Sequence, residues 1–134
     1  MLFQNKYVKQ LKKEINQRLN LTKKRYEEYS FYQNIENGRI SFSFYRSVIG
    51  IIIYFNDEIP DEMQDTIFKL SIEKEKTIHQ KCKCGALGYD YIEFNFYKET
   101  LKELTCDDLI KASNNLKEFF NQFVIQHLVK PDYN

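Results

Sequence analysis

The chain has 134 residues, 43% of them hydrophobic, 16% aromatic and 29% charged, with four Gly and two Pro, which excludes a disordered tail, a collagen-like chain or a low-complexity linker. Area scaling for a chain of this mass leaves roughly 7,500 Å² exposed out of about 23,500 Å² when unfolded, so a real core is expected, in one domain over residues 1–134. The net charge of +1, from 20 basic and 19 acidic residues, excludes chain-wide electrostatic recognition of nucleic acid or an anionic membrane.

Residues 2–29 read as one long amphipathic helix, with Val8, Leu11, Ile15, Leu19, Tyr26 and Tyr29 in one arc at 100° per residue. Lys6, Lys9, Lys12, Lys13, Lys23 and Lys24 fall on the opposite arc, and residues 1–29 carry eight basic against three acidic side chains. Asn37-Gly38 is the strongest hairpin signal, because both central residues of a type I′ turn need positive φ. A turn on those two residues pairs Ile35 with Ile40, Gln33 with Phe42 and Phe31 with Phe44 on one face, with Glu36 opposite Arg39 and Tyr32 opposite Ser43 on the other. Val48–Phe55 is apolar on both faces apart from Gly50, as a central strand covered on each side would be.

Pro60 and the acids Asp61, Glu62 and Asp65 open a second helix over residues 60–76. Met63, Ile67 and Leu70 share its core face, whereas Phe68 and Ile72 lie nearly opposite, so the helix is either sandwiched between layers or offers a patch. Lys81-Cys82-Lys83-Cys84 alternates, Gly85-Ala86-Leu87-Gly88 reads as a turn, and residues 89–97 form the second strand of a hairpin with Ile92, Phe94 and Phe96 inward. Thr105 and Asp108 spell a capping box for a last helix whose apolar side runs through Leu109, Ser113, Leu116, Phe120, Phe123, Val124 and His127 to a stop at Pro131. The order α-β-β-β-α-β-β-α makes an α+β fold, an antiparallel sheet of about five strands packed with three helices. Secretion-chaperone dimers are similar in this layout, which no motif here carries.

Motifs that fix a chemistry are missing. Neither G-x-G-x-x-G, G-x-x-x-x-G-K-[ST] nor G-x-S-x-G occurs, and none of the sixteen lysines follows a carboxylate by two residues, the strand spacing of a metal-dependent nuclease. Gly85 and Gly88 form a bare G-x-x-G between strands, which suits a turn better than a nucleic-acid clamp. His79, Cys82 and Cys84, with Cys106 or His127 arriving through space, could supply soft zinc ligands, but C-x-C is a poor spacing and buried structural thiols are expected, with no metal or cofactor. Cys106, in the first turn of the last helix, sits where the helix dipole lowers a thiol pKa. His127 lies about 30 Å further along that helix, which rules out a dyad within it. No catalytic residue is assigned.

Three surfaces could bind. Tyr89, Tyr91 and Tyr97 face outward from the last strand, and tyrosine is favoured at protein interfaces. Phe68 and Ile72 suit a partner groove or a homodimer. Lys9, Lys12, Lys13, Lys23 and Lys24, with Lys6, could meet phosphates, with a salt slope of about −5 if all six did so. The reading is a non-catalytic module that binds another protein, such as an inhibitor, immunity protein or chaperone-like adaptor. A nucleic-acid-binding domain using the lysine stripe is the alternative, and a zinc or thiol-dependent enzyme comes after it. The longest apolar run is too short to span a bilayer, residues 1–10 lack an export signal, and three cysteines form no set of pairs, so a cytoplasmic location is expected.

Overall fold

Alternation within the strands decides which side chains share a face, and here it sends nearly all the large apolar ones to one side. The computed structural model describes residues 4–25 and 29–124. Its elements are α1 (Lys6–Arg18), β1 (Thr22–Lys23), β2 (Ser30–Ile35), β3 (Gly38–Tyr45), β4 (Val48–Phe55), α2 (Asp61–Ile78), β5 (Lys83–Leu87), β6 (Tyr91–Phe96), a short α3 (Lys98–Leu101) and α4 (Cys106–Phe119), which runs into a π-helical turn (Phe120–Val124). The strands form one antiparallel sheet in the order β1-β2-β3-β4-β6-β5. The α+β class and the order of the main elements are as expected, with one extra two-residue strand and one extra short helix.

Ile40, Phe42 and Phe44 of β3, Ile49, Ile51 and Ile53 of β4, and Ile92, Phe94 and Phe96 of β6 lie in register and are buried together. Val8, Leu11 and Ile15 of α1 close this core over β3, Leu109, Ala112 and Leu116 of α4 over β4, and Ile67 and Ile78 of α2 over β5 and β6. The helices α1, α2 and α4 therefore pack on the same side of the sheet. The capping box of α4 is present in both directions, with Thr105 N–H donating to Asp108 Oδ2 at 3.0 Å and Asp108 N–H to Thr105 Oγ1 at 3.1 Å. Among the described residues no helix is long and apolar enough to cross a membrane.

Four expectations need correction. The first helix spans Lys6–Arg18, not residues 2–29: Leu19 turns extended (φ −117°, ψ 142°), and Lys23 enters β1, where the β2 edge supplies backbone partners. The apolar period of residues 8–19 continued only through Tyr26 and Tyr29, of which Tyr29 packs its ring on Tyr45 at 4.9 Å and Tyr26 lies outside the described residues. In the β2–β3 hairpin the turn residues are Glu36 and Asn37, so Ile35 pairs with Gly38, Gln33 with Ile40 and Phe31 with Phe42. Only Asn37 takes positive φ (65°), and because the slip is an even number of residues every side chain keeps its expected face.

The central strand β4 is covered by helices on one side only, since Val48, Ile52 and Tyr54 on the other are half-buried with no described helix over them. Finally, Gly85-Ala86-Leu87 belongs to β5 rather than to a turn, with a register shift between Cys84 and Ala86 that leaves Gly85 in a bulge. The end of the last helix, with His127 and Pro131, lies outside the described residues.

Candidate functional site: the open face of the sheet

The face of the sheet turned away from the helices is polar and aromatic. Cross-strand pairing sets Asn34, Arg39, Tyr54 and Tyr91 in one row over β2, β3, β4 and β6. The Arg39 guanidinium lies 3.9 Å over the Tyr32 ring and donates from Nε to Asn34 Oδ1 at 3.3 Å. Lys24 leaves β1, reaches across the face, and sets its ammonium 4.4 Å from the centre of the Tyr54 ring while donating to the Tyr54 hydroxyl at 3.1 Å. Stacking of this kind holds a cation in place without neutralising it. Lys24, Arg39 and Tyr54, with Asn34, Asn56 and Asp90, line a pocket of about 290 Å³. The Tyr54 ring packs in turn on Tyr91, 5.7 Å between centres.

Further along β6 the face carries Glu93, half-buried, and Asn95, buried, both lying over Gly50 of β4. Gly85 is required here, since a Cβ at that position would run into the Asn95 amide. Burial holds the Glu93 carboxyl above its ordinary range. Its folded pKa therefore exceeds its unfolded one, so ionisation opposes folding: the cost is absent below the unfolded pKa and complete above the folded pKa. Glu93→Gln is expected to raise the urea midpoint at neutral pH and to leave it unchanged near about pH 3, where wild type is already neutral. A midpoint lower at both pH values would mean that the carboxylate is a structural partner instead.

No family model, characterised protein or solved structure matches the chain.

The expected tyrosine surface is only partly one surface. Tyr91 is half-buried in β6 and Tyr97 is 37% exposed one residue beyond it, with its hydroxyl over Gly85. Tyr89 stands in the turn before β6, 71% exposed, where its carbonyl accepts the Ile59 N–H. Phe68, half-buried, and Ile72, 47% exposed, do lie off the core, but on α2 in the opposite layer, so they cannot act with the tyrosines. The lysine stripe is broken: Lys6, Lys9, Lys12 and Lys13 stay on α1, while Lys23 joins β1 and Lys24 joins the open face. Tyr32, Arg39, Tyr54, Glu93 and Asn95 were missed. The alternations Arg39-Ile40-Ser41-Phe42-Ser43 and Tyr91-Ile92-Glu93-Phe94-Asn95-Phe96 were the sequence signals for Arg39, Glu93 and Asn95.

All three cysteines are free thiols, and Cys82 is held structurally. Cys82 donates to the His79 carbonyl at 3.0 Å, and burial pushes its thiol up to about 12; burial likewise takes Cys84 up to about 11. His79 accepts the Lys81 N–H at Nδ1, and its Nε2 lies 3.4 Å from Asp108 Oδ1. Among the described residues no three His, Cys, Asp or Glu side chains are placed to hold a metal ion. Cys106 does open α4, but burial raises its pKa and outweighs the nearby Arg18, so a thiolate at this helix N-terminus is not favoured.

Proposed function

We propose that the chain is a non-catalytic protein-binding module, of the inhibitor, immunity or adaptor kind, which takes its partner on the open face of the sheet. The observation that carries this reading is the row Arg39, Tyr54 and Tyr91, with Tyr32 beneath the arginine: aromatic and arginine side chains, held rigid by one another, on a face without a described helix. Tyrosine and arginine are the residues that dominate binding energy at protein interfaces, because they bury large area at small entropic cost and satisfy hydrogen bonds at their tips. Asn34, Asn95 and Glu93 add polar groups in the same plane, which gives such a face selectivity for its partner. The nucleic-acid reading loses support, since only four lysines of the stripe remain on α1.

Native mass spectrometry on the chain isolated from its own host tests the proposal. A stoichiometric second polypeptide is expected, held by Lys9→Gln/Lys12→Gln and weakened roughly thirty-fold or more in Tyr89→Ser/Tyr91→Ser/Tyr97→Ser. A partner that survives the tyrosine replacements, or bound oligonucleotide in its place, overturns the proposal.

A further inference from the structure

We propose that the pocket between Arg39, Lys24 and Tyr54 is a carboxylate-binding subsite, and that the partner presents an acidic side chain to it from a peptide segment lying on the open face. The inference rests on the protein-binding reading above and names the chemistry of the segment recognised.

Two cations converge on this pocket, and among the described residues neither has a carboxylate within ion-pair distance. Arg39 and Lys24 are held instead by neutral groups: the Tyr32 and Tyr54 rings, the Asn34 side-chain oxygen and the Tyr54 hydroxyl. Their positions are thus fixed while their charge stays uncompensated, which is the preorganised state a bound anion needs. The bond to Asn34 uses only Nε of Arg39, so the terminal guanidinium N–H groups remain to fork onto a carboxylate, with Lys24 as a second, point-like cation.

Size and surroundings select among anions. A pocket of about 290 Å³ lies at the small end of ligand sites and suits a side-chain headgroup. A nucleic-acid strand would bring a run of phosphates, yet Asp90 lines the pocket and Glu93 follows two residues along β6 from Tyr91, so successive phosphates would meet negative charge. One isolated carboxylate sets a single negative charge against Asp90, with the two cations Arg39 and Lys24 to meet it.

The test is a titration of the full-length ¹⁵N-labelled chain, followed by NMR, with a blocked peptide of alternating Glu and Val, the matched peptide of Gln and Val, and a thymidine oligonucleotide. The Glu peptide is expected to give saturating shifts at Asn34, Arg39, Tyr54 and Asn56, with the Gln peptide weaker by about ten-fold or more. Arg39→Gln and, separately, Lys24→Gln are expected to weaken the Glu peptide by about ten-fold or more, and Lys12→Gln to leave it unchanged. Either pocket variant suffices if the other disturbs the spectrum beyond the pocket. Equal binding of both peptides with shifts at Tyr91 and Tyr97 overturns the carboxylate subsite and leaves the wider reading of the face standing. No saturating shift on the sheet face with either peptide overturns both. Saturation by the oligonucleotide without the Glu peptide overturns the subsite in favour of a nucleic-acid strand.

Discussion

Phe94→Ala is expected to lower folding stability by about 3–5 kcal/mol, enough to move the thermal midpoint by roughly 10–20 °C in a domain of this size. Phe94 is fully buried in β6, between Ile51 of β4 and Cys84 of β5, with Ile92 and Phe96 beside it on the same face. The helices above are tied to other parts of the core through Ile67, Leu109 and Leu116, so they cannot settle into the space a benzyl group leaves. The loss therefore includes the transfer term and most of the cavity term. Urea unfolding should show a lower midpoint with an unchanged slope. Tyr97→Ser, on the other side of the same sheet edge, is expected to change stability by less than about 1 kcal/mol, because the side chain is already 37% exposed. That contrast separates the two faces experimentally: side chains on one hold the fold, and those on the other contribute little to it.

The parts of the fold that could be read from the chain are those set by neighbours in sequence. Thr105 and Asp108 are three residues apart and cap each other, so α4 begins where a local rule says it should. Ile92, Phe94 and Phe96 alternate, and they are buried as alternation requires. Where partners are distant, local rules ran out. Nothing within residues 19–29 says that the chain leaves the helix; Lys24 N–H finds the Ser30 carbonyl only because β2 comes back beside it. Gly85 looks like a turn residue, yet its role is to make room for Asn95, ten positions later.

The candidate site suffered most from this, because its groups come from four strands, β2, β3, β4 and β6, and from Lys24 just after β1. In the expected register Arg39 faced the Glu36 carboxylate; in the observed one it faces Asn34, a neutral side chain. A slip of two residues leaves the core unchanged and alters the chemistry of the open face. Lys24 was legible as a cation but not as a member of the site, since its contact with Tyr54 spans 30 positions.

Gly38→Ala tests that register directly, and it is expected to lower stability by about 1–3 kcal/mol through overpacking. The first residue of β3 pairs with Ile35 on one side and Phe55 on the other, and its φ is not positive, so glycine is not there for a left-handed turn. It is there because a Cβ would collide with the Tyr54 backbone carbonyl and come within 3.3 Å of Phe120 Cζ. Phe120 cannot yield easily, being buried and stacked on Phe55 at 5.0 Å between ring centres. The added methyl must therefore push β4 away at Tyr54, the residue on which Lys24 rests, so the Tyr54 and Arg39 amide signals should move together with the loss of stability. Asn37→Gly makes the opposite change. Asn37 holds φ at 65°, where glycine is unstrained, so this replacement is expected to be neutral or stabilising within about 1 kcal/mol. If the turn residues were Asn37 and Gly38, glycine would be tolerated at both positions for its φ and the Tyr54 carbonyl would not be in the way. A Gly38→Ala variant with an unshifted Tyr54 signal would therefore restore that register, set Arg39 opposite Glu36, and remove the uncompensated cation on which the carboxylate subsite depends.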